Sequence, residues 1–432
     1  MTGPILFDNA IDAAVDAIEA TGVDLSGCEL TLLRDLRGRL RLHVTRPATA
    51  RWPTTATADL KRALANVVPF GTDVVYFGGS NTDPFEQIVA RDRTRLERGS
   101  AAWFKLERRF SKDAWILEQG RDQQPWSIDD NAAPPGGAAQ PPVISFYGFK
   151  GGVGRTTALA AFALYVAEAL GLNVVVVDLD LEAPGVSTLL LGDDISPDLG
   201  VVDFLLEASL DRQPPLVMSR YLLNSPFPSG TGSVRVMPAG RLDANYLEKL
   251  GRVDVQGLAE PGTPLRAPLL QMLERLRNEV RPDVVLLDVR AGLHDLGGVS
   301  LSGLSHLELI FASHTPQTWA GLPVVLRHLG HLRAPWVRMV HTLVPPATRG
   351  GDDLHAAFMQ QAYDVCCETY YLKDAVPAFE DDSAAHAAYR LPFREALMAL
   401  SDLRISKSEL LADEHRRFCE QLAADAGLGA PP

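Results

Sequence analysis

Cysteine is scarce in this sequence, with Cys28, Cys366, Cys367 and Cys419 the only four in 432 residues. Only Cys366 and Cys367 lie close together, and adjacent cysteines make poor disulfides, so a reduced, cytoplasmic protein is expected. No Cys/His spacing resembles a zinc site. No uncharged apolar run nears the roughly 20 residues that a membrane span needs. Met1-Thr2-Gly3-Pro4 lacks the basic and apolar regions of a signal peptide, and no membrane association is expected. Basic excess is missing as well. The net charge is −13, and the deficit is uneven: 17 Lys and Arg face 19 Asp and Glu up to Pro142, against 24 and 35 beyond it. That balance argues against a broad electrostatic footprint for nucleic acid on the second part.

What is present is concentrated in residues 143–157, Val-Ile-Ser-Phe-Tyr-Gly-Phe-Lys-Gly-Gly-Val-Gly-Arg-Thr-Thr. The apolar and aromatic run 143–147 predicts a buried strand. Gly148 opens a turn, Gly151, Gly152 and Gly154 follow, and Thr156-Thr157 starts an Ala/Leu-rich helix predicted to reach about Leu170. Strand, glycine loop and helix N-terminus together make a phosphate cradle. The glycines let the backbone curl with its N–H groups inward, and the helix dipole adds partial positive charge. In the general spacing G-x-x-x-x-G-K-[ST], the lysine reaches the β/γ-phosphates and the hydroxyl ligates Mg²⁺. Here Gly148 and Gly154 hold the glycine positions and Thr156 the hydroxyl position, but Arg155 stands where the lysine belongs. A planar guanidinium does not replace a compact ammonium. A second cation, Lys150, sits early in the loop.

Lys-Gly-Gly-Val-Gly-[Lys/Arg]-Thr-Thr resembles the deviant Walker A loop of the ParA/MinD class of P-loop ATPases. The Arg form resembles a bacterial subgroup reading Lys-Gly-Gly-Val-Gly-Arg-[Ser/Thr]. The resemblance covers roughly residues 141–345. It implies an α/β fold with a mostly parallel, doubly wound P-loop NTPase sheet, ATP and Mg²⁺ as cofactors, and a nucleotide-dependent homodimer. On that basis Gly148, Gly151, Gly152, Val153, Gly154, Arg155, Thr156 and Thr157 bind the phosphates, and Lys150 reaches the other subunit's nucleotide. Lys150, Arg155 and Asp180 are the catalytic candidates, and Thr156 and Asp288 the metal candidates.

Two further stretches carry this expectation. The β-branched run 173–177 predicts the next parallel strand, ending in Asp178-Leu179-Asp180-Leu181-Glu182. Ligands gather at the carboxyl edge of such sheets. In the class, an Asp two residues after a strand-end Asp belongs to switch I and positions the attacking water, and Asp180 matches. Asp178 and Glu182 read at least as well as helix-capping or solvent-facing carboxylates. Residues 283–288 form an apolar run closed by Asp288, the expected Walker B element, with Gly292 following. Switch II of the class usually continues Asp-[Thr/Ser]-Pro-Pro-Gly, whereas this chain reads Asp-Val-Arg-Ala-Gly-Leu. Arg290 could therefore contact phosphate or a dimer partner, or pair with a nearby carboxylate. After a strand expected at 336–340 the class commonly has an adenine-reading Asn; here residues 341–346 contain none. Further strands are expected at 233–237 and 307–312, and helices at 199–206 and 265–280. The stretch from Phe393 reads as helical and lacks a basic amphipathic tail.

The first part, residues 1–118, reads as a small α+β domain of unknown role. Helices are expected from Phe7 to about Ala20 and over 57–67 and 84–96, and strands over 29–33, 40–44 and 73–77. Between Arg91 and Lys112, eight cations face three carboxylates and interleave with Trp103, Phe104 and Phe110. This is either a docking surface for nucleic acid or an acidic protein, or a solvated helix face followed by an edge strand. Residues 119–142 hold five prolines and an adjacent glycine pair, which is linker composition. Residues 143–432 then form the ATPase-like domain with a C-terminal helical extension. The expected function is a slow ATPase switch that dimerises with nucleotide and relays this to a partner through residues 1–118. Its alternatives are a nucleotide-binding scaffold with negligible hydrolysis and, third, a dethiobiotin synthetase-like ligase, for which no second small-molecule motif is present.

Overall fold

The computed structural model describes residues 4–45, 54–78, 83–99, 101–109, 112–116, 141–193, 195–209, 217–259, 265–332, 336–398 and 403–429. Two compact units divide the chain, Met1–Phe110 and Ser111–Pro432. Residues 112–116, grouped with the first domain by composition, pack within the second unit. Residues 119–140 of the stretch read as linker, and Phe110, lie outside the described residues. Among the described residues no helix is long and apolar enough to cross a membrane.

The first unit runs α1 (Ala10–Glu19), β1 (Glu29–Arg34), β2 (Leu40–Thr45), α2 (Thr54–Ala65), β3 (Gly71–Phe77), α3 (Pro84–Asp92), β4 (Thr94–Arg95) and β5 (Ala102–Glu107). Its sheet has the order β3-β2-β1-β5-β4. The apolar stripe of α1, Ile11, Val15 and Ile18, packs with Leu60 and Leu64 of α2 on Leu30, Leu32, Leu40 and Leu42. α1 starts at Ala10, not Phe7, because the Asn9 side chain bonds the Leu6 N–H at 2.7 Å and forms a turn there. α3 ends at Asp92, not 96: Arg93 turns extended and Thr94–Arg95 pairs antiparallel with β5.

That change of direction engages part of the basic stretch. Trp103 is fully buried. Arg93 lies 2.7 Å from Glu29 and stacks 3.9 Å over Phe104. Arg98 pairs with Asp12 at 3.0 Å and Asp16 at 2.8 Å. These cations are engaged within their own unit, closer to the structural reading of the stretch than to an open docking face.

The second unit runs α4 (Asp113–Ile116), β6 (Val143–Gly148), α5 (Arg155–Ala169), β7 (Asn173–Leu179), α6 (Val186–Leu191), α7 (Val201–Ser209), β8 (Leu223–Asn224) and β9 (Ser233–Met237). It continues with α8 (Tyr246–Ala259), α9 (Arg266–Arg275), β10 (Val284–Val289), α10 (Asp295–Ser300), β11 (Leu307–Ala312) and α11 (Pro316–Leu332). The last elements are β12 (Val337–Val344), α12 (Gly351–Thr369), β13 (Tyr389–Pro392), α13 (Leu403–Leu410) and α14 (Asp413–Asp425). The strand order is β13-β12-β11-β6-β10-β7-β9-β8, parallel except for β8 against β9.

The expected mostly parallel, doubly wound α/β sheet is therefore present. β6 and β10 are buried along their whole length, as parallel strands covered on both faces must be. Val143 and Tyr147 face the layer of α7, α9, α11 and α12, while Ile144 and Phe146 face α5 and α14. α5 is apolar nearly all round because it lies between the sheet and α14. The stretch from 393 is only partly helical as expected: β13 closes the sheet just before it, and residues 395–397 form a single 3₁₀ turn before α13.

Candidate functional site

The chain folds back on itself where β6, between β10 and β11, leaves the sheet. Gly152 and Gly154 have φ of +73° and +78°, a region that costs an L-residue about 1–2 kcal/mol. A Cβ at Gly151, Gly152 or Gly154 would meet nothing within 4 Å, so the inside of the loop is an open cradle. Buried Val153 anchors the loop to the core beneath α5. Gly154 is the N-cap of α5 and supplies no side-chain acceptor to its first turn. The dipole's positive end is thus left for a ligand.

Arg155, the residue in the lysine position, turns inward. It is only 9% exposed. Its Nε donates to Asp288 Oδ1 at 2.7 Å and one Nη to Asp180 Oδ2 at 3.0 Å. Thr156 Oγ1 donates to the other Asp288 oxygen at 3.0 Å. One guanidinium thus bridges the carboxylates at the ends of β7 and β10, strands that pair directly. Asp288 is completely buried, and that burial raises its carboxyl against the lowering influence of Arg155. Asp178, beside it, is pushed up to about 7 by burial and by the Asp288 charge. It accepts the Ser187 hydroxyl at 2.5 Å and the Ser187 N–H at 3.3 Å, and so caps the start of α6. Asp180 keeps one buried oxygen, Oδ1, with no hydrogen-bond partner among the described residues.

Glu182 and Arg290 form an ion pair, and His294 lies 3.7 Å from the same carboxylate. Of the alternatives for Arg290, the structure places it against a nearby carboxylate. Gly292 returns to the P-loop: its N–H donates to the Gly148 carbonyl at 3.2 Å, and its own carbonyl accepts the Tyr147 hydroxyl at 3.1 Å.

A cleft of about 660 Å³ opens over this network. Half-buried Lys150, the glycine loop, Thr156, Thr157 and Asp180 line one end. The rest of the lining mixes apolar Leu343, Phe393, Leu397 and Met398 with Arg394 and His415. Leu343 has φ +58° and sits where the β12–β13 register slips. A bulge of this kind beside a cleft re-aims a side chain. Leu343, Phe393 and Met398 are 43%, 42% and 73% exposed, a set of apolar surfaces open to an occupant.

Residues 144–385 match the CobQ/CobB/MinD/ParA nucleotide binding domain. The chain belongs to that family. The match begins inside β6 and takes in the glycine loop, both bridged carboxylates and β12, while β13, α13 and α14 lie beyond it. Solved structures similar to this chain include cobyrinic acid a,c-diamide synthase from Mycobacterium smegmatis with bound ATP analog and magnesium. It is 18% identical, with 68% of this chain and 98% of that one covered and a TM-score of 0.45. The cell division ATPase MinD of Pyrococcus furiosus is 18% identical over 67% and 99% of the two chains, with a TM-score of 0.44. McdA of Cyanothece, a variant in complex with ATP, is 13% identical over 68% and 99%, with a TM-score of 0.46. No curated protein matches the chain.

Family membership and the glycine loop are legible in the sequence; two features of the site are not. The inward turn of Arg155 requires knowing that β7 and β10 are neighbours, since 25 and 133 residues separate it from its partners. The apolar part of the lining is assembled from the end of β12 and the turn after β13, and only the absence of an Asn after β12 hints that it is built differently.

Proposed function

We propose that the second unit is an ATP- and Mg²⁺-binding switch that dimerises with nucleotide and hydrolyses it slowly. The observation that carries this reading is one cleft joining the uncapped N-terminus of α5 and the open glycine cradle to a wall that includes Leu343, Phe393, Leu397 and Met398, apolar surfaces against which a base can lie. The residues fit both ligands. Backbone N–H groups from Gly151 to Thr157 receive phosphate oxygens. The Thr156 hydroxyl, the Asp288 carboxylate and the orphaned Asp180 Oδ1 are hard oxygen donors, the kind Mg²⁺ prefers. Thr156 and Asp288 would hold the ion, which when bound neutralises charge on the β- and γ-phosphates. Asp180 orients the attacking water through its free oxygen. Lys150, at the rim of the cleft, extends to the nucleotide of a second copy.

Arg155 sets the pace in this reading. Its guanidinium neutralises Asp180 and Asp288, so Mg²⁺ must compete with it for the carboxylates, and phosphate with the carboxylates for the guanidinium. One misplaced electrostatic contact can cost about 10²–10³ in rate. That same contact favours a second reading, a nucleotide-binding scaffold with negligible turnover. Recruitment of a protein partner by the first unit belongs to the proposal; the internal pairing of its arginines makes nucleic acid the weaker candidate.

Calorimetry with ATP–Mg²⁺, phosphate release with and without DNA, and sedimentation of Lys150→Ala separate these readings. Binding with slow release, and loss of ATP-dependent dimers in Lys150→Ala, supports the switch. Tight binding without release supports the scaffold. Unchanged ATP-dependent dimers in Lys150→Ala would refute the role across the dimer, and absence of binding would refute both readings.

A further inference from the structure

Residues 112–116, the first described residues of the second unit, are fastened to the segment that follows Asp288. The Lys112 N–H donates to the Asp295 carboxylate, and the Lys112 ammonium lies 3.3 Å from the other Asp295 oxygen. Trp115 donates its indole N–H to the His294 carbonyl at 2.7 Å. Its ring centre lies 4.9 Å from that of His328 and 6.2 Å from that of Tyr147. A Cβ added to Gly297 would meet the Trp115 ring at 3.6 Å.

The contacts continue without a gap to the P-loop. Tyr147 immediately precedes Gly148, and its hydroxyl donates to the Gly292 carbonyl, while the Gly292 N–H donates to the carbonyl of Gly148. Asp288, His294 and Asp295 thus lie on one short segment whose Ala291 lines the cleft and whose His294 and Asp295 hold the strap. Among the described residues, 112–116 line no part of the cleft, and they lie outside the family match. The Trp115 ring also packs on the framework, against Tyr147 of β6 and His328 of α11. Here, among the described residues, the polar contacts of Lys112 and Trp115 outside their own segment fall on His294 and Asp295, where β10 has ended and α10 begins.

We propose that Lys112 and Trp115 are positioning residues for segment 290–297, and that through them the chain entering the second unit responds to the state of the cleft. The inference rests on the nucleotide reading above. When Asp288 exchanges its Arg155 partner for a ligand, the His294 carbonyl and the Asp295 carboxylate shift with the segment. The strap then either follows or lets go, and in both cases its backbone reports the change.

Amide hydrogen exchange on the full chain, with and without a non-hydrolysable ATP analogue and Mg²⁺, tests this. Slowed exchange at 148–157 is expected, with exchange at 112–116 and 290–297 changing together by about fivefold or more, the usual size of a coupling between sites. In Trp115→Ala, 290–297 should still respond while the response of 112–116 is lost, and in Lys112→Ala, which keeps the ring and the main-chain N–H bond to Asp295 and removes only the ammonium contact, the response of 112–116 should be weakened. Trp115→Phe, which restores the ring without the indole donor, should recover part of the response. Protection at 148–157 and 290–297 with 112–116 indifferent in the wild type overturns the inference and leaves the nucleotide reading intact. No protection at 148–157 overturns that reading, and the inference with it.

Discussion

Arg155→Ala offers the most direct test of the closed network. The guanidinium contacts Asp288 at 2.7 Å and Asp180 at 3.0 Å. With charge centres about 4 Å apart and an effective dielectric constant of about 20, each pair contributes about 4 kcal/mol. Desolvating the buried ions takes back several kcal/mol, and removing one member of such a set costs about 3–5 kcal/mol because the remaining charges are left uncompensated. In a unit of this size that corresponds to a fall in Tm of about 5–10 °C.

The pH dependence has a definite sign. Asp178 and Asp288 have carboxyl pKa values raised in the folded state. A raised carboxyl contributes stability that is present at low pH and is lost as pH climbs through its folded value. Arg155 lowers the Asp288 carboxyl, so without it that value rises further, and the deficit of the variant should be smaller at pH 5 than at pH 8. Millimolar Mg²⁺ should restore part of the Tm in the variant and have little effect on the wild type. Thermal melts at pH 5 and 8, with and without Mg²⁺, provide the measurement. An unchanged Tm at pH 8, or a deficit that grows as pH falls, would refute the reasoning.

Glu308, buried in β11 and bonded by the Ser145 and Ser305 hydroxyls, has its carboxyl pushed up to about 7 by burial. Stability of the wild type should therefore fall as pH rises from about 4.5 through 7, and Glu308→Gln should flatten that slope in urea midpoints taken at pH 5 and 8. On the apolar wall of the cleft, Phe393→Ala and Met398→Ala should each weaken ATP–Mg²⁺ binding by about tenfold, from roughly 1–1.5 kcal/mol of lost apolar contact apiece. The double variant, titrated calorimetrically, should leave Tm without nucleotide nearly unchanged, since both side chains are exposed.

How much is legible depends on whether a signal is local. β9 and β11 lie where their apolar and β-branched residues place them, at Ser233–Met237 and Leu307–Ala312, although Arg235 and Glu308 interrupt the two runs. α3 reads as helix up to 96 because Arg and Leu suit one, yet pairing of Thr94–Arg95 with β5 decides the conformation. α12 and β13 give no clear pattern: α12 buries few of its residues, and β13 spans only Tyr389–Pro392. The Thr156–Asp288 bond joins two motifs that are each recognisable alone. The role of Arg155 is the least legible, since a basic residue in a phosphate loop reads as facing phosphate when its inward partners are remote in sequence.

The final helix has two jobs that cannot be separated. One stretch of α14 carries His415, on the wall of the cleft, and Phe418, Cys419 and Leu422, which shield α5. Ligand occupancy and the anchoring of residues 413–425 therefore draw on a single free energy. A filled cleft should protect this end of the chain from trimming proteases, and a shortened chain should loosen its hold on ligand even though every residue of the glycine loop remains in place.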